Sequence, residues 1–388
     1  MELFLESGYV SLNKFGEELC GDRVEAIYHD DSMTLVLADG LGSGVKANIL
    51  STLTSKIICT MMAEGMPIEE CVQTIAGSLP VCSVRKIAYS TFTILNVDKA
   101  GNAYMVQFDN PNMIVLRNGK NLEYSMETRV IEGKKIHESY LKTQKGDIFI
   151  MMSDGTIHAG IGTVLNFGWQ WENIRDYIVE HYESSMSAKT VAATIAQACQ
   201  DLYMDKPGDD TTVAVMRIRE KQQVNIMVGP PVNKEDDEPI VKEFMGNPGK
   251  KIVCGGTTSS IVSRYLGVPV TTELHYVDTG VPPIGHMEGI DLVTEGVVTL
   301  GRVLEICKKA VSESNTDTMI YDKKDGATRI AKLLFEEATH IKFYVGRALN
   351  PAHQNPDLPI DLSIKLRLVE EIKDELEKMG KIVTVKFY

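Results

Sequence analysis

Hydrophobic and polar residues along the first half of the chain predict many short strands and two pairs of helices. Short apolar runs bounded by turn residues predict strands, and they lie at 7–13, 23–39, 89–97, 103–107, 113–117, 139–143, 148–152 and 211–217. Apolar residues three and four positions apart predict helices, at 43–64, 67–79, 169–183 and 188–203. Strands joined by short turns pair antiparallel. The pattern therefore predicts an α+β fold of two antiparallel sheets, with helices on both outer faces.

The first predicted helix follows a glycine-rich loop and is expected to begin at Ser43, whose hydroxyl would cap it. Its apolar residues recur at helical spacing and are expected to form the face that packs on a sheet. These residues are Ile49, Leu50, Leu53, Ile57, Ile58, Met61 and Met62.

The pattern changes near residue 220, where the polar stretch REKQQ at 219–223 predicts a domain boundary. We expect a first domain at 1–219 and a second, smaller domain at 222–388. In the second domain strands and helices alternate. The strands are expected at 224–228, 251–254, near His275, 340–345 and 382–387, and the helices at 236–245, from about 259, and at 300–311, 327–338 and 362–379. This alternation predicts a partly parallel α/β domain.

Composition excludes several classes of protein. The chain has 388 residues, of which 44% are hydrophobic and 24% charged, as in ordinary folded domains. Its net charge of -13 argues against nucleic-acid binding, which needs a basic surface. The acidic N-terminus does not resemble a signal peptide, and no apolar run approaches the length of a membrane span. The 7 cysteines are scattered and include no CxxC pair, which is typical of reduced thiols. We therefore expect a cytoplasmic protein without a membrane partner.

Acidic residues lie at the ends of predicted strands that are far apart along the chain. Asp39 and Asp154 each end an apolar run and precede glycine, Asp22 begins a run, and Asp209 and Asp210 directly precede another. Asp-Gly is also a common turn signal, so each position taken alone predicts a turn. If folding brings the set together, its oxygen ligands suit Mg²⁺ or Mn²⁺ better than zinc or copper.

Five motifs in order carry a family resemblance. They are GDRV at 21–24, ADGLGSGVKAN at 38–48, STF at 90–92, MMSDG at 151–155 and GDDTTVAVM at 208–216. In this order they resemble metal-dependent protein phosphatases of the PPM superfamily, and most of all the bacterial branch of sporulation stage II protein E. The resemblance covers about residues 1–219 and does not extend into the second domain. It implies a four-layer αββα sandwich with a metal site between the sheets at one end.

The resemblance also implies a centre of two Mn²⁺ or Mg²⁺ ions. Asp39 would bridge both ions, with the backbone carbonyl of Gly40 beside it. Asp22 would hold one ion, largely through water, and Asp154 the other. Asp209 is the preferred further ligand of the second ion, and Asp210 is the close alternative.

The expected reaction is hydrolysis of a phosphoserine or phosphothreonine monoester by a water that the two ions activate. In this mechanism Asp39 and Asp154 contribute to catalysis through the metal-activated water. His158, four residues after Asp154, is a candidate proton donor to the leaving oxygen. A histidine in a loop is more often a solvated or capping residue, so that alternative stays open.

The resemblance implies a phosphoprotein substrate in bacterial signalling. In the sporulation branch this substrate is typically a phosphorylated antagonist of an anti-sigma factor. The alternative function is a non-catalytic scaffold that binds a phosphoprotein or senses a ligand while retaining the phosphatase fold.

The second domain contains a candidate anion-binding loop. A predicted strand, KIVC at 251–254, is followed by Gly255, Gly256, Thr257, Thr258 and Ser259 and then by a predicted helix. The N-terminus of a helix offers free N–H groups and a favourable dipole to a small anionic ligand. The loop lacks the lysine of a P-loop and a full GxGxxG, so a tight turn with Thr or Ser capping is the alternative.

Overall fold

The chain divides into two compact units in the computed structural model, which describes residues 3–29, 32–78, 90–272, 283–348 and 364–388. Unit 1 contains Met1–Glu220 together with Glu313–Asp317. Unit 2 contains Lys221–Ser312 and Thr318–Tyr388.

Unit 1 is built from strands and helices in the order that the hydrophobic pattern predicts. Its elements are β1 (Leu3–Leu12), β2 (Asp22–His29), β3 (Ser32–Asp39), α1 (Gly44–Ala63), α2 (Ile68–Ser78), β4 (Thr91–Asp98), β5 (Asn102–Phe108), β6 (Ile114–Arg117), β7 (Lys120–Asn121), β8 (Glu127–Ile131), β9 (Lys134–Lys142), β10 (Ile148–Met152), α3 (Asp154–His158), α4 (Trp171–His181), α5 (Ala188–Leu202) and β11 (Thr211–Glu220). The elements β7, β8 and α3 were not predicted, because β7 and α3 are too short to show a period and β8, with the sequence ETRVI, has no alternation of apolar and polar residues.

Two antiparallel sheets form the centre of unit 1. One has six strands in the order β2-β3-β4-β5-β9-β8, and the other has five in the order β1-β11-β10-β6-β7. Strand β3 lies inside the first sheet, where Leu35 faces the second sheet and the next residue, Val36, faces the helices. Such alternation buries both faces of a strand.

Helices cover the outer face of each sheet. Ile58 of α1 and Ile75 of α2 pack on the six-stranded sheet. Ile178 of α4 and Ile195 of α5 pack on the five-stranded sheet. The layers are thus helices, sheet, sheet and helices, which confirms the predicted αββα fold class.

The predicted buried face of α1 is confirmed in its last turns, where Ile57, Ile58, Met61 and Met62 pack on the sheet, but is wrong in its first turns. Ser51, Thr54 and Ser55 are fully buried, whereas Ile49 and Leu53 are 52% and 42% exposed. Small side chains let α1 lie close to β2 and β3, so its first turns pack with small residues and leave larger apolar ones outside. Ser43 is the N-cap residue of α1, as predicted, but its hydroxyl donates to Glu17 and makes no capping bond.

Unit 2 is an α/β domain. Its elements are β12 (Gln223–Val228), α6 (Asp237–Gly246), β13 (Lys250–Cys254), α7 (Gly256–Leu266), β14 (Thr271–Thr272), β15 (Gly285–Met287), β16 (Ile290–Thr294), α8 (Val297–Val311), α9 (Gly326–Lys332), β17 (His340–Val345), α10 (Ile364–Lys378) and β18 (Ile382–Phe387). The sheet order is β14-β15-β16-β13-β12-β17-β18, and the five strands from β16 to β18 are parallel. Helices α6 and α7 cover one face, and α8, α9 and α10 cover the other. The prediction of a partly parallel α/β domain is confirmed.

Some predicted features lie outside the described residues. These are the first residue of the strand at 89–97, the end of the helix at 67–79, the strand near His275, the start of the helix at 362–379, and Cys82. The cysteines at 20, 59, 71, 199, 254 and 307 are free thiols, and all but Cys20 are buried. Within the described ranges, every helix is too short or too polar to cross a membrane.

Candidate metal centre

Five aspartates meet at one end of unit 1 because each lies at the end of a strand. Asp22 is the first residue of β2, Asp39 is the last residue of β3, and the two are directly paired across the β2–β3 ladder. Asp154 follows β10 and opens α3, and Asp209 and Asp210 directly precede β11. Their charges act on one another's pKa values, so the fold brings together residues that are distant in sequence.

Asp22 is the most deeply buried member of the cluster, at 3% exposure. Burial raises the pKa of its carboxyl to about 7, the hydroxyls of Ser153 and Thr212 oppose that rise, and the charges of Asp210 and Asp154 add to it. Neither carboxylate oxygen of Asp22 has a hydrogen-bond partner of normal geometry among the described residues. An ionised carboxylate in that position lacks the compensation that buried charges require.

Asp39 is half-buried at the centre of the cluster. Burial raises the pKa of Asp39 to about 9, and the charges of Asp22, Asp154 and Asp209 contribute in the same direction. Like charges that share a site disfavour ionisation of one another. Asp39 therefore lies close enough to three of the four other aspartates for their charges to act on it.

Asp154, Asp209 and His158 form a second, more open part of the cluster. One oxygen or nitrogen atom from each lies within 4.8 Å of the other two, a spacing that could hold a metal ion. His158 Nδ1 is 4.0 Å from Asp154 Oδ2, and both side chains are nearly half exposed. Helix α3 places them together, because its first and fifth residues share one face. His158, which the sequence predicts as a proton donor, therefore also lies at a distance suited to a metal ligand.

Asp209 and Asp210 point into different parts of the cluster. Asp209 is 39% exposed and its Oδ1 lies 3.7 Å from Lys14 Nζ. Asp210 is buried, and its Oδ1 accepts a hydrogen bond of 2.9 Å from the backbone N–H of Lys14. Burial raises the pKa of Asp210, and its Oδ2 has no partner among the described residues. Asp209 is therefore close to Asp39 and Asp154, whereas Asp210 is close to Asp22.

Two glycines allow the elements around the cluster to approach closely. A Cβ on Gly40 would lie 2.1 Å from the carbonyl oxygen of Ala47 in α1. A Cβ on Gly155 would lie 2.1 Å from the carbonyl oxygen of Asp210. Any larger residue at either position would push these elements apart, so the Asp-Gly pairs also determine the packing around the site.

The donor set fits divalent cations. Asp22 Oδ1 and Oδ2 and Asp210 Oδ2 are buried oxygens without hydrogen-bond partners in the described part of the chain. The carboxyls at positions 22, 39, 154 and 210 all have raised pKa values, for which burial is the largest cause. A hard cation such as Mg²⁺ or Mn²⁺ would offset both the burial and the repulsion.

Some neighbours of the cluster were not predicted. Ser153 Oγ accepts a hydrogen bond of 2.8 Å from the backbone N–H of Thr212, which joins the end of β10 to β11. The signal for Ser153 was its place in the MMSDG motif. Lys14 has no such signal, because only folding places it beside Asp209.

The predicted anion-binding loop lies in unit 2 at the start of α7. Gly255 is the N-cap residue and makes no capping bond. Thr258 and Ser259 are buried, and Ser259 Oγ donates to the carbonyl of Gly255 at 2.8 Å. The alternative of Thr or Ser capping is therefore wrong, because no side chain among the described residues caps the N–H groups at the start of α7.

Unit 1 combines two helix-covered antiparallel sheets with an acidic cluster at one end. Residues 29–219 match the family described as Stage II sporulation protein E (SpoIIE). This match covers slightly less than half of the chain and does not extend into unit 2. No curated protein matches the sequence.

Several solved structures are similar to the chain at low sequence identity. The PP2C phosphatase domain of SpoIIE from Bacillus subtilis, solved with a fragment of its regulatory domain, is 18% identical with a TM-score of 0.48, covering 56% of this chain and 64% of that one. RsbX in complex with magnesium is 21% identical with a TM-score of 0.40, covering 55% and 95%. The SiaA PP2C domain of Pseudomonas aeruginosa is 16% identical with a TM-score of 0.42, covering 54% and 84%. The chain thus spans less than two thirds of the first of these structures.

Proposed function

We propose that unit 1 is a metal-dependent serine/threonine protein phosphatase that acts in bacterial signalling. The observation that carries the proposal is the set of buried carboxylate oxygens of Asp22 and Asp210 that have no partner among the described residues. Buried charges in proteins are normally paired or coordinate a metal. The match of residues 29–219 to the SpoIIE family supports the same function.

The proposed ligands are Asp22, Asp39, Asp154 and Asp209, with the carbonyl of Gly40, and the proposed cofactor is a pair of Mn²⁺ or Mg²⁺ ions. Asp210 is the alternative proposed ligand to Asp209, since its Oδ1 accepts the N–H of Lys14 while its Oδ2 has no partner among the described residues. When bound, such ions activate a water for attack on phosphorus and neutralise charge on the phosphoryl oxygens.

Side chains at the open edge of the cluster are proposed to act on the substrate. Lys14 is 38% exposed and lies next to Asp209, so its ammonium group is placed to contact a phosphoryl oxygen. His158 is 46% exposed beside Asp154, which supports the proposal that it holds a proton for the leaving seryl or threonyl oxygen. The exposed positions of these two residues suit a substrate that approaches from solvent.

The proposed substrate is a phosphoprotein, and an antagonist of an anti-sigma factor is the proposed kind. The half-exposed side chains of Asp154 and Asp209 leave the cluster open at the protein surface, where the phosphorylated loop of another protein can reach it. The match to the SpoIIE family supports this kind of substrate.

The test is metal-dependent release of phosphate from an aryl phosphate and from a phosphothreonine peptide by the full chain. We expect activity with Mn²⁺ or Mg²⁺ and none in excess chelator. Asp39→Asn should lower kcat/KM by about 100-fold or more, as for the loss of a main electrostatic stabiliser. It should also abolish the rise in Tm that Mn²⁺ produces in the unmodified chain.

Asp176→Asn is the matched control, because Asp176 is an exposed aspartate on α4. This variant should keep both activity and the Mn²⁺-induced rise in Tm. Undiminished turnover by Asp39→Asn or in chelator would contradict the proposal. A chain that binds Mn²⁺ but turns over neither substrate would favour a non-catalytic scaffold.

A further inference from the structure

Three helices of unit 2 have a threonine three residues after the N-cap residue. In α9 this threonine is bound by a carboxylate. Helix α9 has Asp325 at its N-cap and Thr328 three residues later. The Asp325 carboxylate accepts the backbone N–H of Thr328 at 2.9 Å and its hydroxyl at 2.8 Å. One oxyanion therefore satisfies both donors of the threonine.

Helices α7 and α8 have the threonine but not the carboxylate. Thr258 and Thr299 stand three residues after the N-cap residues Gly255 and Gly296, which make no side-chain cap. Both threonines are buried, at 1% and 0% exposure, and neither hydroxyl has a partner among the described residues. Leaving a buried hydroxyl unpaired destabilises the folded state, so the two positions need an acceptor that the described chain does not provide.

The two helix N-termini lie side by side. Strands β13 and β16 are parallel neighbours, with Cys254 paired to Thr294, and α7 and α8 start directly beyond them on opposite faces of the sheet. A Cβ on Gly296 would lie 3.6 Å from Gly255 Cα. A single ligand can therefore contact the first turns of both helices.

The backbone N–H groups in the first turns of α7 and α8 are available as hydrogen-bond donors. The first bonds within the helices run from Ser259 to Gly255 and from Leu300 to Gly296. The N–H groups of residues 256–258 and 297–299 consequently have no acceptor within their own helices. Both helix dipoles also favour a negative charge at this point.

Gly255 leaves space for a ligand at the N-terminus of α7. Its φ of 110° is a conformation that L side chains rarely adopt, so a capping side chain is disfavoured there. A Cβ built on Gly255 would lie 3.3 Å from Thr258 Oγ1, so the threonine hydroxyl faces the place where an N-cap side chain would be. A Cβ on Gly256 would meet nothing within 4 Å.

We propose that the first turns of α7 and α8 bind the phosphoryl group of a small ligand. In these two helices the phosphoryl group is the acceptor, as the carboxylate of Asp325 is in α9. Its oxygens accept from Thr258, from Thr299 and from the free N–H groups of both helices. A tetrahedral phosphoryl group presents several oxygens in different directions and can serve two helices at once, as it does at other helix N-termini. Glu295, exposed beside Gly296, carries a like charge and is the local group that opposes binding.

The test is equilibrium dialysis of the full chain against labelled inorganic phosphate at constant ionic strength and in excess chelator. Without divalent cations the acidic cluster of unit 1 repels phosphate, so its contribution is removed. We expect saturable binding, which the double substitution Thr258→Val and Thr299→Val weakens by about tenfold or more, since hydrogen bonds to a charged group are lost. Valine keeps the shape of threonine and removes only the donor.

Thr328→Val is the matched control, because the hydroxyl of Thr328 already has Asp325 as its acceptor. This variant should lower the Tm of unit 2 and leave phosphate binding unchanged. Gly296→Asp is a second test that does not depend on the double variant folding. It places a carboxylate at the N-cap of α8, where φ is -84°, so it should raise the Tm of unit 2 and abolish phosphate binding.

Competition identifies the source of the phosphoryl group. Displacement of labelled phosphate by AMP at lower concentration than by unlabelled phosphate would assign a nucleotide, and the reverse order would assign free phosphate. Displacement by acetate as effective as by phosphate would overturn the assignment to phosphate in favour of a carboxylate. Absence of phosphate binding, or unchanged binding in a folded double variant, would overturn the site itself.

Discussion

At the scale of single residues, two buried aspartates of unit 1 show how environment separates a structural carboxylate from a candidate ligand. Asp147 is fully buried and receives two hydrogen bonds from the guanidinium of Arg117, with a third from the backbone of Gln144. Asp22 is also buried but has no such partner among the described residues. The chain thus neutralises Asp147 itself, whereas the carboxylate oxygens of Asp22 have no hydrogen-bond partner in the described part of the chain, which fits the proposed role of Asp22 as a metal ligand.

Lys189 gives a prediction about pH. It is 8% exposed, its Nζ donates to the carbonyl of Tyr9 at 2.6 Å, and burial lowers its pKa to about 8, although Glu313 opposes that shift. Between pH 8 and the ordinary lysine value the unfolded chain binds a proton that the folded chain does not, so stability rises with pH in that window. Lys189→Met lacks this titrating group, so the free energy of unfolding of the unmodified chain should rise relative to that of Lys189→Met by up to about 3 kcal/mol between pH 8 and the ordinary lysine pKa.

The measurement is denaturant unfolding of unit 1 at several pH values from 7 to 10.5. Lys120→Met, at an exposed position of β7, is the control and should follow the unmodified chain. Parallel curves for Lys189→Met and the unmodified chain would mean that Lys189 keeps its proton when buried.

At the scale of elements, α1 shows why helical spacing does not by itself identify the buried face. Apolar residues occur on more than one side of α1, so the spacing is compatible with several orientations. The structure buries the side with small residues, because β2 and β3 approach it closely, and Val45, Ile49 and Leu53 remain exposed. Periodicity therefore identified the element but not its rotation.

The rotation of α1 gives a prediction about stability. Ile58 is fully buried against the six-stranded sheet, whereas Ile49 is 52% exposed. Ile58→Ala should lower the free energy of unfolding of unit 1 by about 2–5 kcal/mol, through lost burial and a cavity. Ile49→Ala, the same change on the opposite side, should alter it by less than about 0.5 kcal/mol. Equal effects in denaturant unfolding would mean that α1 is rotated from the described position.

At the scale of the whole molecule, a segment late in the chain completes unit 1. Glu313–Asp317 belongs to unit 1, although the sequence around it belongs to unit 2. The carbonyl of Glu313 accepts the backbone N–H of Ser11 at 3.0 Å, and its carboxylate accepts the hydroxyl of Tyr9. Thr316 Oγ1 lies within hydrogen-bond distance of Gln197. A boundary drawn from the polar stretch near residue 220 does not capture this segment.

Tyr9→Phe tests the contribution of this segment in the full chain. Burial and the neighbouring Glu313 raise the pKa of Tyr9, so its hydroxyl remains a donor to the carboxylate over the whole physiological range. Removing the hydroxyl should lower the stability of unit 1 by about 1–3 kcal/mol, as for a hydrogen bond to a charged group. Thermal unfolding of Tyr140→Phe, at a tyrosine that is 70% exposed, provides the comparison and should show no such loss. A similar Tm for both variants would mean that Glu313 adds little to unit 1.

The sequence by itself determined the class of both domains and the candidate ligands, because strand alternation and acidic strand ends are properties of neighbouring residues. Asp39 and Asp154 could be identified in this way, each at the end of an apolar run. Only the tertiary structure decided which acids face one another, which side of α1 is buried, and that Glu313–Asp317 joins unit 1. Those features arise from contacts between residues far apart along the chain, and the local pattern of residues does not predict such contacts. The unpaired hydroxyls of Thr258 and Thr299 could likewise be recognised only from the structure, by comparison with Thr328 in α9, whose hydroxyl has Asp325 as its acceptor.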